Sequence, residues 1–154
     1  MRSLRSYLLI GLTLSLTTVL FSCSKSKDNT PIQTEDGKVM KFTLTTTGLQ
    51  ATDNFSLTLV GSDIQATATS LFKVNGVLQS NQKAITISKA QLMAGQVVVE
   101  TIPLYTVSVS ASGFSGTTGH TFTFKMEPVI DNAAQPVVNK TITTTVYAET
   151  LTFN

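Results

Sequence analysis

Residues 38–154 predict an all-β fold, a single antiparallel β-sandwich, on three observations. Apolar side chains recur at every second position, not every third or fourth. Turn residues such as Asn75-Gly76 and several Gly- and Ser-rich stretches punctuate these runs. Thr and other β-branched residues are abundant in them, and just one short stretch has helical spacing. About eight or nine such runs in one chain point to two stacked sheets, with a closed β-barrel as the alternative.

Taken in order, Met40, Phe42 and Leu44 alternate with Lys41, Thr43 and Thr45, and Phe55, Leu57 and Leu59 alternate with Ser56 and Thr58. Both runs predict strands with one buried face. Ile64, Ala66, Ala68, Phe72 and Val74 keep one parity and predict a weaker strand. Asn75-Gly76 then supplies the two positive φ values of a type I′ hairpin returning through Val77-Leu78. Ile85 and Ile87 mark another short strand. Ser88 and Gln91 have capping-box spacing and Gly95 stands where a helix would stop, which predicts one helical turn. Val97-Val98-Val99, within 96–101, reads as a strand covered on both sides. Tyr105, Val107, Val109 and Ala111 share a face, as do Phe122, Phe124 and Met126, and the turn-rich segment between them predicts a hairpin. Val138, Ile142, Val146 and Ala148 keep a parity that Leu151 and Phe153 reverse, so a bulge near Glu149-Thr150 is expected.

The run Tyr105-Thr106-Val107-Ser108-Val109-Ser110-Ala111 resembles the aromatic-led strand of immunoglobulin-like and fibronectin-type modules, which implies an immunoglobulin-like sandwich. The chain has no Trp and one Cys, so the resemblance implies an architecture and no functional residue.

The N-terminus predicts an address. Arg2 and Arg5 precede an apolar stretch from Tyr7 to Phe21 that is shorter than the ~20 residues a spanning helix needs, and the pattern is that of a signal peptide. Leu20-Phe21-Ser22-Cys23 closes it and resembles the lipobox of bacterial lipoproteins. Phe21 departs from the small or β-branched residue usual there. The resemblance implies cleavage before Cys23, lipidation of its thiol, and a membrane anchor through that residue. Ser24 in place of Asp implies export to the outer membrane of a bacterial cell envelope. Several acyl chains hold a protein on a bilayer where one binds marginally, at about 0.8 kcal/mol per buried methylene. With Cys23 so used no disulfide is available, so the core alone must hold the fold. The segment 24–37 has Ile32 as its one apolar side chain and reads as a flexible tether. The expected organisation is therefore a signal peptide over 1–22, a lipidated tether over 23–37 and the β-domain over 38–154.

Charge excludes one class of partner. The net +2 comes from Arg2 and Arg5, since the nine Lys after Ser22 balance the nine acidic residues. No basic stripe is present, so nucleic acid is not expected.

Few residues carry a pattern suited to chemistry. His120 is the lone histidine and stands after Gly119, where an exposed turn residue is expected. Gly113-Phe114-Ser115-Gly116-Thr117 lacks the second glycine and the strand-turn-helix setting of a nucleophile elbow. Asp53-Asn54, Asp63 and Asp131-Asn132 carry oxygens that suit calcium, but without the spaced acidic loop of a strong motif they read as Asx turns. Two Asn-x-Ser/Thr sequons, at Asn54 and Asn139, carry no weight in a bacterial lipoprotein. Glycan binding is disfavoured, as no Trp is present and Tyr105 and Tyr147 fall in strand patterns. Phe114, in the Ser112–Gly119 loop, is the candidate partner contact. The expectation is a lipid-anchored envelope protein that is not an enzyme, with no cofactor, no metal and no catalytic residue. It would act as an interaction module, with another envelope protein as partner. The alternative is a structural or accessory subunit of a fimbria-like assembly joined by sheet edges.

Overall fold

Alternation along each run becomes two antiparallel sheets packed face to face in the computed structural model, which describes residues 37–64 and 66–154. The strands are β1 (Met40–Thr47), β2 (Asn54–Ser62), β3 (Phe72–Val74), β4 (Val77–Leu78), β5 (Ala84–Ile87), β6 (Val97–Thr101), β7 (Thr106–Phe114), β8 (Phe122–Ile130), β9 (Ala133–Ala134), β10 (Val138–Ile142) and β11 (Tyr147–Phe153). One sheet has the order β10-β8-β1-β6-β3-β4, with β9 added to β8, and the other has the order β11-β7-β2-β5. Neither closes on itself, so the fold is a sandwich and not a barrel.

Period two writes the core directly. Met40, Phe42 and Leu44 of β1 and Phe122, Phe124 and Met126 of β8 face Phe55, Leu57 and Leu59 of β2 and Val107 and Val109 of β7, all buried. Aromatic edges lock the layers together. Phe55 lies 5.6 Å from Phe122 at 79° and 5.2 Å from Phe124, and Phe42 lies 5.1 Å from Phe153 at 67°. The two edge-to-face pairs, Phe55–Phe122 and Phe42–Phe153, each add about 0.5–1.5 kcal/mol beyond the area they bury. Gly113 permits the Phe55 contact, because a Cβ there would collide with the ring and with the Asn54 carbonyl.

The helix is the single turn expected, α1 (Lys89–Met93), with the reciprocal capping box of Ser88 and Gln91 and Leu92 buried beneath it. Asn75 (φ 48) and Gly76 (φ 80) make the β3–β4 hairpin.

Five expectations are corrected. The weak run before Phe72 is not a strand: Ile64 is exposed, Ala66 has φ 54, and pairing begins at Phe72. Val98 is half-buried, so β6 has one buried face, not two. Tyr105 is 52% exposed because β7 begins one residue later. β7 and β8 do not form a hairpin, since residues 115–121 cross from one sheet to the other. The parity change near the C-terminus likewise needs no bulge. Residues 143–146 carry the chain between sheets, so β10 points Val138 and Ile142 inward while β11 points Tyr147, Leu151 and Phe153 inward.

Candidate interaction surface

The outer side chains of the β11-β7-β2-β5 sheet form a face without a charged residue. Register places Thr86, Thr58, Ser110 and Thr150 in one row across all four strands. Flanking rows carry Ser56, Ser112 and Ala148 on one side and Ala84, Val60, Ser108 and Thr152 on the other. The hydroxyls partly satisfy one another, Thr58 to Thr86 at 3.2 Å and Ser110 to Thr150 at 2.9 Å. The outer face of the other sheet is different in kind. It bears Lys41, Lys73, Glu100, Lys125 and Glu127, with ion pairs Lys41–Glu100 at 3.8 Å and Lys125–Glu127 at 2.8 Å. Covering the uncharged face strips water from no ion and freezes short side chains that have little rotamer entropy to lose.

Phe114 stands at one end of this face. It is the last residue of β7, opposite Asn54, and 36% exposed. The expectation of a loop residue is corrected to that extent: the ring is held on a strand end.

A buried carboxylate fixes the loops beside it. Asp53 Oδ2 accepts from the Gln50 amide at 2.8 Å and lies 3.1 Å from His120 Nε2, and Oδ1 accepts from the Gly116 amide at 3.1 Å. Burial alone would raise the Asp53 carboxyl, but the two amides and the imidazole outweigh it and hold the group below its ordinary value. Lys89 Nζ donates to the Ala51 and Asp53 carbonyls at 2.6 and 2.8 Å. His120 is thus a loop fastener and not the exposed turn residue expected. Among the described residues no hydroxyl or thiol hydrogen-bonds to its ring, and Ser115 Oγ donates instead to the Thr117 carbonyl at 3.2 Å.

The other sequence candidates lie apart from Phe114. Asp131 Oδ1 accepts from the Val39 amide at 2.9 Å, and Asp63 Oδ2 from the Ala68 amide at 2.8 Å, so each ties a loop as an acceptor. Asp131 and Asn132 border a groove of about 570 Å³ on the charged sheet, which Lys41, Lys73 and Glu100 also line. Among the described residues no three His, Cys, Asp or Glu side chains gather as a metal would require. Cys23 and the tether preceding Gly37 lie outside the described residues.

The sequence matches no protein-family profile and no curated protein. Solved structures do resemble the fold. A domain of unknown function, DUF4425, from Bacteroides vulgatus ATCC 8482 is 14% identical, with a TM-score of 0.57 over 77% of this chain and 94% of its own. A DUF4425 family protein from Bacteroides ovatus ATCC 8483 is 12% identical, with a TM-score of 0.57 over 76% and 94%. A protein from Parabacteroides distasonis, solved in its calcium-bound form, is 13% identical, with a TM-score of 0.56 over 77% and 93%. At these identities the likeness is one of fold alone, an all-β sandwich.

Proposed function

We propose that this chain is a non-catalytic interaction module of a bacterial cell envelope, lipid-anchored through Cys23 in the outer membrane and docking another envelope protein on the uncharged face of the β11-β7-β2-β5 sheet. The observation that carries the reading is the difference between the two outer sheet faces, one bearing Lys41, Lys73, Glu100, Lys125 and Glu127 and the other bearing no charged side chain. A partner that covers Thr58, Ser110 and Phe114 displaces water from hydroxyls, methyls and one ring. The lipobox-like Leu20-Phe21-Ser22-Cys23 supports the location, and the bacterial source of the structural neighbours agrees with it.

Cross-linking in the native envelope tests the docking face. Ser110→Lys places a charge at the centre of the uncharged face, and Thr43→Lys places one on the opposite sheet. The reading requires a cross-linked partner band that Ser110→Lys and Phe114→Ala lose and Thr43→Lys keeps. Equal behaviour of all three variants overturns it. The edge position of β11 favours a second reading, a structural or accessory subunit joined to its neighbours by strand pairing.

A further inference from the structure

We infer that the free edge of β11 pairs antiparallel with the β11 of a second copy, about a two-fold axis through Thr150. The inference rests on the edge-pairing reading and names its partner.

The ladder shows which groups are free. Gly61 donates its amide to the Lys83 carbonyl on the β5 side, and odd and even residues of an antiparallel strand point their main-chain groups to opposite sides. Carried through the registers of β2 with β7 and of β7 with β11, this alternation turns the odd residues of β11 toward β7. The Phe153 carbonyl agrees, as it accepts from Thr106 Oγ1 at 3.0 Å. Ala148, Thr150 and Thr152 therefore present their N–H and C=O groups outward, where no other strand among the described residues pairs with them.

Of the strands that end a sheet, β11 is the longest, with seven residues against five in β10, four in β5 and two in β4. It has no Pro and no Lys, two of the devices that blunt an edge. Its one charge, Glu149, faces inward and is already bound to the Tyr147 hydroxyl at 2.6 Å and to Lys140 at 2.9 Å.

Side chains select the register. With the axis on Thr150, all of β11 overlaps its copy: Tyr147 meets Phe153, Ala148 meets Thr152, Glu149 meets Leu151 and Thr150 meets itself. An axis on Glu149 sets two carboxylates opposite each other, and an axis on Leu151 leaves Tyr147 and Ala148 without a strand partner. An axis between residues pairs inward with outward side chains. In the Thr150 register the hydrogen-bonded pairs are those of Thr150 with itself and of Ala148 with Thr152, which are the residues whose groups are free. The uncharged outer face then runs on without a break into that of the second copy.

The full chain in its native envelope, carrying Thr150→Cys, tests this under mild oxidation. Hydrogen-bonded antiparallel pairs have Cα atoms about 5.5 Å apart, within the roughly 4.4–6.8 Å that a disulfide spans. The expected result is a disulfide dimer in Thr150→Cys that is absent from wild type, which keeps Cys23, and from Thr58→Cys on the same face. Adding Thr152→Pro, which removes an outward donor, should cut dimer yield by about tenfold without altering the melt. Absence of the dimer, equal yield from Thr58→Cys, or indifference to Thr152→Pro overturns the inference. A disulfide adduct with a different protein at position 150 overturns self-pairing and leaves the edge-pairing reading standing.

Discussion

Removing the Asp53 carboxylate should cost more than any other change confined to the loops. Asp53→Ala leaves the Gln50 and Gly116 amides and the His120 ring nitrogen without their shared acceptor, at a site where the Asp53 side chain is fully buried. Hydrogen bonds to a charged group contribute about 1.5–3 kcal/mol each, but the loops can relax toward water, so the net loss should be about 3–5 kcal/mol. For a domain of this size that corresponds to a melting temperature lower by roughly 10–20 °C. Urea titration should show a shifted midpoint with an unchanged slope. The pH dependence has a definite sign. The folded carboxyl sits below its ordinary 3.8, so its contribution is complete above that value and disappears as pH falls through the lower, folded value. Asp53→Asn keeps the shape and one acceptor but cannot titrate, so its acid unfolding profile should be flatter than wild type. An Asp53→Ala protein within about 1 kcal/mol of wild type would refute the idea that one carboxylate fastens these loops.

Phe124→Ala and Phe122→Ala should each cost about 3–5 kcal/mol, since both rings are buried against Phe55, and unchanged melts would overturn the β8 register. Cys23→Ser should abolish labelling by a metabolically supplied fatty acid and leave an unprocessed or soluble protein, and equal labelling of both forms would remove the lipid anchor from the argument. Calcium or chelator should move the melting temperature by less than about 10 °C, and a larger shift would reveal a metal site built from other oxygens than those gathered here.

Alternation was legible wherever one face of a strand is buried, because burial selects apolar side chains at every second position; Met40, Phe42 and Leu44 spell β1 without help. Sheet membership was not legible. Parity says that Val109 and Phe124 point inward but not that their strands lie in opposite layers, so a crossover at residues 115–121 read as a hairpin. The reversal before Leu151 had the same origin. The uncharged face is visible in the sequence as the Ser and Thr at even positions of 54–62 and 106–114, yet it becomes one surface only when both runs are known to share a sheet. Asp53 and His120 are 67 residues apart and had no local signal.

Segregating outward-facing charge onto one sheet also sets how contacts are made. Encounter through the hydroxyl face gains nothing from electrostatic steering, so association there should proceed near the unassisted rate of about 10⁵–10⁶ M⁻¹s⁻¹ and vary little with ionic strength. The charged sheet, approached by anything ionic, should respond to salt. A protein that finds its partner without long-range attraction depends on being kept close to it. The proposed lipid anchor would supply that closeness, because tethering raises effective concentration without adding a contact. The lost steering matters least for a molecule that seldom has to search in three dimensions.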